Sequence, residues 1–174
     1  MFAVIKPILY ENASPEAKSA YESQYLAYGT VTNLKRTLLH HLPSYRVYEE
    51  WNGLREALLG FISRRAFAVF AYAISQEGGS LLGTTYYRKA FADRGENPDE
   101  LILDDEEQAL ELYGRQLARN PNEVPNALFG HLGQYYSPEQ IVALTAFAGQ
   151  MIATNVFGGA LRVELDEYLL HFTN

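Results

Sequence analysis

The chain contains no cysteine. Disulfides, thiolate nucleophiles, thiol redox cycling and cysteine-ligated metals are therefore excluded. Basic residues are in the minority: 14 Lys and Arg stand against 21 Asp and Glu, a net charge of −7. A phosphate-binding surface needs a basic footprint, so no nucleic-acid partner is expected. No unbroken run of about 18 apolar residues occurs, and no membrane-spanning segment is expected. The start, MFAVIKPILYENASPE, has a short apolar patch with no basic region before it. It reads as no signal peptide and points to a cytoplasmic protein, in which the Asn12-Ala13-Ser14 sequon is accidental. There is no His-Glu-x-x-His pattern, no Asp-rich calcium loop and no Gly-x-Ser-x-Gly elbow. Neither a metal nor a cofactor is expected.

What is present is an ordinary globular composition, 48% apolar and 20% charged over 174 residues, which suits a single domain with a sizeable core. Long stretches carry few Pro or Gly, and apolar residues recur at helical spacing, which predicts an all-α chain. Ser14-Pro15-Glu16 reads as a helix start, and Gly29 as its stop. Further helices are expected over 33–41, 45–59, 63–74 and 80–93, with Pro43 and Gly60 as punctuation. The run AFAVFAYAI is apolar on every side, as in a buried helix. Pro98-Asp99-Glu100 offers another start, and 104–119 an amphipathic helix. Ser137-Pro138-Glu139-Gln140 is a capping box opening a helix to about Phe157, ended by Gly158-Gly159. A short helix over 164–170 closes the chain. NPDELI (97–102) and SPEQIV (137–142) echo one another, which suggests two similar helical hairpins.

The segment SQEGGSLLGTTYYRK (75–89) is the main candidate site. As a helix it places Ser80, Thr84 and Tyr87 on one face, with Gly83 beside them. That face can line a polar ligand pocket at a helix start. Equally, Ser80 can be the helix cap, with Thr84 and Tyr87 as packing residues. A nucleophilic Ser80 would need a base, and His40, His41, His131 and His171 are all distant in sequence. His40-His41 suits a helix C-terminus better than a metal site. The run from Asp104 to Glu107 suits a helix N-terminus. Asn155 falls on the apolar face of the last long helix, where its amide needs either a structural partner or a ligand. Thirteen tyrosines suit pockets and subunit interfaces.

The order and spacing of several blocks carry a resemblance to a known family. They are GTVTNLKRTLLHHLPSYRVYEEWNGLREALL, ISRRAFAVFAYAISQEGGSLLGTTYYRKAFADRG, EEQALELYGRQLA and YYSPEQIVALTAFAGQMIATNVFGGAL. Together they resemble the carboxymuconolactone decarboxylase / AhpD-like alkylhydroperoxidase superfamily, in particular its peroxidase-related branch. The resemblance implies an AhpD-like helical bundle over 29–170, an N-terminal helical extension over 1–28, and a homo-oligomer. Redox members carry a Cys-x-x-Cys pair, a preceding glutamate and a following histidine. Those positions fall here on Ser80, Gly83, Ala68 and Tyr87, so every reacting group is replaced. The expectation is a non-peroxidatic small-molecule- or partner-binding protein, with Ser80, Thr84, Tyr87 and Asn155 at its pocket. The alternatives are a cofactor-free decarboxylase or isomerase, for which Arg65 and Arg88 are the nearest cations in sequence, and a purely structural oligomer whose cavity Tyr87 and Phe side chains fill.

Overall fold

Helix α5 (Arg64–Glu77) is the element around which the others assemble. Every residue from Ala66 to Ser75 is buried, as an all-round apolar helix requires. The computed structural model describes residues 3–173. Among them are α1 (Pro15–Tyr28), α2 (Asn33–Leu38), α3 (Leu42–Glu50), α4 (Asn52–Leu59), α5, α6 (Leu81–Ala92), α7 (Asp105–Arg119), α8 (Asn126–Leu132) and α9 (Pro138–Leu161). Three short 3-10 turns, Tyr10–Asn12, Pro121–Glu123 and Glu167–Phe172, complete the chain. No strand occurs among the described residues.

Helices α6, α7 and α9 pack around α5. Gly114 of α7 permits the closest approach: a Cβ there would lie 3.0 Å from Phe70 O and 3.1 Å from Ile74 Cγ1. Phe70 and Tyr113 stack nearly parallel at that contact, and the Tyr113 hydroxyl bonds Thr145 Oγ1 of α9 at 2.6 Å. A second, smaller apolar cluster joins Ala13 and Ala17 to Leu38, Leu39 and Tyr45, with Phe157 of α9 against it. This cluster ties the N-terminal segment to the rest.

Several expected boundaries shift, each for a local reason. The stretch expected as one helix over 45–59 is two, α3 and α4, parted at Trp51. Pro43 lies inside the first turn of α3, where its missing N–H is not needed, rather than ending an element. Accordingly α2 ends at Leu38, and His41 caps α3 instead of closing α2, accepting from Ser44 N–H. Pro98 opens no helix: Asp99 is held by Arg88 at 2.6 and 2.9 Å, and Asn97 Oδ1 turns the backbone by accepting Asp99 N–H. The helix begins instead at the Asp104 capping box with Glu107. The echo between NPDELI and SPEQIV therefore does not mark paired hairpins. Helix α8 is too short to show a period in the sequence. Helix α9 runs through Gly158-Gly159 to Leu161, because the left-handed turn falls at Arg162 (φ 53°) and Val163 N–H bonds Gly158 O at 2.9 Å.

Helix α9 is also long and apolar enough, by length and composition alone, to cross a membrane. The expectation that no such segment exists counted only unbroken apolar runs. Between Glu139 and Arg162 the helix has no charge, and its Thr, Gln, Asn and Gly residues interrupt the run without adding one. Within the fold its Leu144, Phe147, Ala148 and Met151 are core residues.

Candidate functional site

The site forms where α5 turns into α6. Gly79 takes a left-handed backbone (φ 62°), and Ser80 N–H reaches back to Ser75 O at 2.9 Å. This closure ends α5 and delivers Ser80 directly to the start of α6. There Ser80 Oγ accepts Gly83 N–H at 3.1 Å, so Ser80 is the N-cap. Its side chain is buried.

Gly83 faces α5 and α9 at very short range. A Cβ on it would lie 2.5 Å from Ser75 Oγ, and 2.9 Å from both Ser75 Cβ and Asn155 Oδ1. Position 83 therefore has no room for a side chain. Ser75 is fixed there by its own bond to Ala71 O at 2.9 Å. Asn155 is buried, as its place on the apolar face of α9 suggested, and its Nδ2 has no hydrogen-bond partner.

A cavity of about 220 Å³ opens beside these residues. Ser80, Gly83, Tyr87, Met151 and Asn155 form one side. Thr32, Asp166, Tyr168 and Leu169 form the other. The C-terminal segment supplies that second side because Asp166 Oδ1 accepts Asn33 N–H at 2.8 Å and Asn33 Nδ2 bonds Glu164 O and Leu165 O, both at 3.1 Å. Burial raises the Asp166 carboxyl above its usual range, against the Asn33 N–H and the charge of Arg36. Burial also pushes the Tyr168 hydroxyl up to about 12. Thr84 does not line this cavity; it lies part-way along α6, half-buried.

Tyr87 is shared with a second cavity of about 350 Å³. Leu34, Tyr86, Met151 and Thr154 also line both. Tyr87 thus forms a wall between two spaces rather than filling one. Burial raises its hydroxyl strongly, Tyr86 adds to this and Arg55 opposes it. The second cavity takes in Ala68 and Phe67 on its apolar side, and Lys35, Arg55, Arg64 and Arg94 on its polar side. Burial brings Lys35 down to about 8.

Arg65 and Arg88, the cations nearest to the site in sequence, reach neither cavity. Arg65 pairs with Glu96 and the buried Glu107, and Arg88 pairs with Asp99 and contacts Tyr72. None of the four histidines lines either cavity. His40 bonds Lys6 O through Nε2, and His41 is the α3 cap, so both serve the fold. Among the described residues no three His, Asp or Glu side chains gather to hold a metal ion. Sequence reading missed Asp166 and Tyr168, because a distant segment brings them, and Arg55, Arg64 and Arg94.

No family model and no curated protein matches the chain. Solved structures do match, over nearly its whole length. The debrominase Bmp8 in its apo form superposes with a TM-score of 0.75 at 14% identity, covering 97% of this chain and 95% of its own. A cysteine-to-alanine variant of that debrominase, in complex with 2,3,4-tribromopyrrole, matches at 15% identity and TM-score 0.75 over 100% of this chain and 99% of its own. An uncharacterized peroxidase-related protein from Ralstonia eutropha JMP134, described as an alkylhydroperoxidase AhpD core, matches with a TM-score of 0.75 at 15% identity, covering 97% of this chain and 96% of its own. At such identities the likeness is one of fold. The chain has the all-α fold of the AhpD-like peroxidase-related proteins, built without a single cysteine.

Proposed function

We propose that the chain is a non-peroxidatic small-molecule-binding protein on an AhpD-like fold, with its ligand in the cavity between α6, α9 and the C-terminal segment. The observation that carries this reading is Asn155. Its buried Nδ2 lacks a partner, which costs about 1–3 kcal/mol unless a ligand acceptor satisfies it. Tyr87 and Asp166 line the same cavity and add a hydroxyl and a carboxyl to its apolar walls. This mixture of an apolar lining with few polar groups is the usual make-up of a small-molecule site.

A thermal-shift screen of small organic compounds tests the reading. A ligand at 100 times its Kd stabilises by about 2.7 kcal/mol, which for a domain of this size raises Tm by roughly 5–10 °C. The response should shrink in Asn155→Ala. A screen in which no compound shifts Tm, or in which the shift survives Asn155→Ala unchanged, would defeat the proposal.

Asp166 favours a second reading, an enzyme with acid–base chemistry independent of thiols. A carboxyl raised by burial takes up a proton more readily than an ordinary surface carboxylate, which is the property a general base uses. That reading requires Asp166→Asn to abolish turnover of a bound compound while leaving its binding intact. The debrominase among the structural neighbours places halogenated aromatics among the compounds worth including.

A further inference from the structure

The second cavity differs in kind from the first. Four cations converge on it from four places in the chain: Lys35 on α2, Arg55 on α4, Arg64 at the start of α5 and Arg94 just beyond α6. No Asp or Glu lines it. In a chain of net charge −7 this concentration is not what a uniform surface would provide. Four arginines elsewhere in the fold, Arg65, Arg88, Arg115 and Arg119, each hold a carboxylate. Arg64 and Arg94 have no carboxylate within 4.0 Å among the described residues. Arg55 pairs only with its neighbour Glu56, and both side chains are largely exposed. Its guanidinium lies 5.7 Å from the centre of the Phe67 ring, which holds a positive charge over the apolar wall. Lys35 pairs with the part-buried Glu49.

Arg64 also occupies the first turn of α5, where the helix dipole disfavours a cation by about 0.3–1 kcal/mol. An anion in the cavity would reverse that penalty. Beneath the cations the lining is apolar, with Phe67, Ala68 and Met151. Gln150 is also in the wall, and its Oε1 is buried with no hydrogen-bond partner. It offers an acceptor to a ligand hydroxyl or N–H.

We propose that this second cavity binds a small organic anion, an acid with an apolar ring or chain, whose charged head meets Arg55, Arg64 and Arg94 and whose hydroxyl or N–H donor meets Gln150 Oε1. This specifies the chemical class of ligand and rests on the reading of the fold as a small-molecule binder. Tyr86, Tyr87 and Met151 wall both cavities, so a ligand body lying against them from the cationic side also borders the Asn155 space.

A matched pair of fluorescent probes tests the charge requirement directly. 8-Anilinonaphthalene-1-sulfonate has two apolar ring systems, an N–H donor and one anionic group. N-phenyl-1-naphthylamine is the same molecule without the sulfonate. The folded protein is expected to bind the sulfonate at least about tenfold more tightly, as charge-assisted contacts to guanidinium groups require. In the double variant Arg64→Gln/Arg94→Gln, whose two side chains are at the exposed mouth, that preference should fall below about threefold, with the circular dichroism spectrum unchanged. Salt should weaken the sulfonate and leave the neutral probe alone. Equal binding of the two probes, or a preference that survives in the double variant, overturns the anion site while leaving a small-molecule binder standing. Failure of both probes to bind overturns the anion site and counts against the binder as well.

Discussion

Replacing Gly83 by alanine should destabilise the protein, although the same change elsewhere in these helices should stabilise it. In a helix interior, Gly→Ala is normally favourable by about 1 kcal/mol, through reduced freedom of the unfolded chain. At Gly83 the new Cβ lies 2.5 Å from Ser75 Oγ and 2.9 Å from Ser75 Cβ and Asn155 Oδ1. The hydroxyl cannot swing away without losing its bond to Ala71 O, and the Ser75 Cβ cannot move without α5. Overpacking of this kind costs about 1–3 kcal/mol against that gain of about 1 kcal/mol, and contacts as short as these put the cost toward its upper end, so a net loss of up to about 2 kcal/mol is expected. For a chain of this length that lowers Tm by up to about 8 °C. Gly149 of α9 supplies the control, since a Cβ there would meet nothing within 4 Å and the residue is exposed. Gly149→Ala should raise stability by up to about 1 kcal/mol. The double variant Ser75→Ala/Gly83→Ala should recover part of the loss, because it removes the 2.5 Å contact and leaves the two at 2.9 Å. Urea denaturation of the four proteins reads all of this. If Gly83→Ala proves as stable as Gly149→Ala, then α6 is not held against Ser75 and Asn155, and the geometry assigned to the site is wrong.

Introducing thiols by Ser80→Cys/Gly83→Cys should give no peroxide consumption above a buffer blank with a thiol reductant. The Gly83 position has no room for a side chain, and Ala68 and Tyr87 offer neither carboxylate nor imidazole; turnover would refute this. Lys35 should titrate near 8 when followed by NMR after ¹³C reductive methylation, and a value at the ordinary 10.5 would contradict its burial. Because its folded value lies below its unfolded one, the protonated amine opposes folding at pH 7, and this opposition should fade as pH rises from about 8 through the unfolded value of 10.5. Glu107→Gln should cost about 1–3 kcal/mol, since it removes the buried one of the two carboxylates that hold Arg65 and weakens the Asp104 cap. Glu96→Gln, on the exposed side of the same arginine, should cost less than about 1 kcal/mol, and equal effects in denaturation would refute the assignment.

The helix starts were legible because capping is local. Ser14, Ser63, Ser80, Asp104 and Ser137 each accept an N–H three residues on, and that pattern is written in the sequence within one turn. Helix ends were harder. A Gly-Gly pair ends α5 at Gly78-Gly79, yet an identical pair lies inside α9. The difference is tertiary: Gly158 packs toward Leu82, and the chain turns back only at Arg162. Half of the candidate site followed the same division. Ser80, Tyr87 and Asn155 lie on faces that helical spacing identifies, and all three line the first cavity. Thr84 shared the face of Ser80 by spacing, but the neighbouring elements leave it outside. Asp166 and Tyr168 arrive through hydrogen bonds donated by the Asn33 side chain to Glu164 O and Leu165 O and by Asn33 N–H to the Asp166 carboxylate, a pairing across more than a hundred residues that no local pattern encodes.

The cations show where a usable signal existed. Proximity in sequence to Tyr87 selects Arg88, and proximity to Ala68 selects Arg65. Adjacent residues on a helix point about 100° apart, so neither shares the face that matters. Arg88 turns to Tyr72 and Asp99, and Arg65 turns to Glu96 and Glu107. Arg64 lies one helical turn before Ala68 on α5, and Arg94 stands seven residues past Tyr87, in the turn that follows α6; both line the second cavity. Helical spacing taken outward from Ala68 therefore reaches Arg64, which proximity misses, whereas Arg94 is brought in by the turn after α6. Ala68 and Tyr87 themselves are apolar and phenolic, so the charge of the second cavity comes from residues four and seven positions away from them.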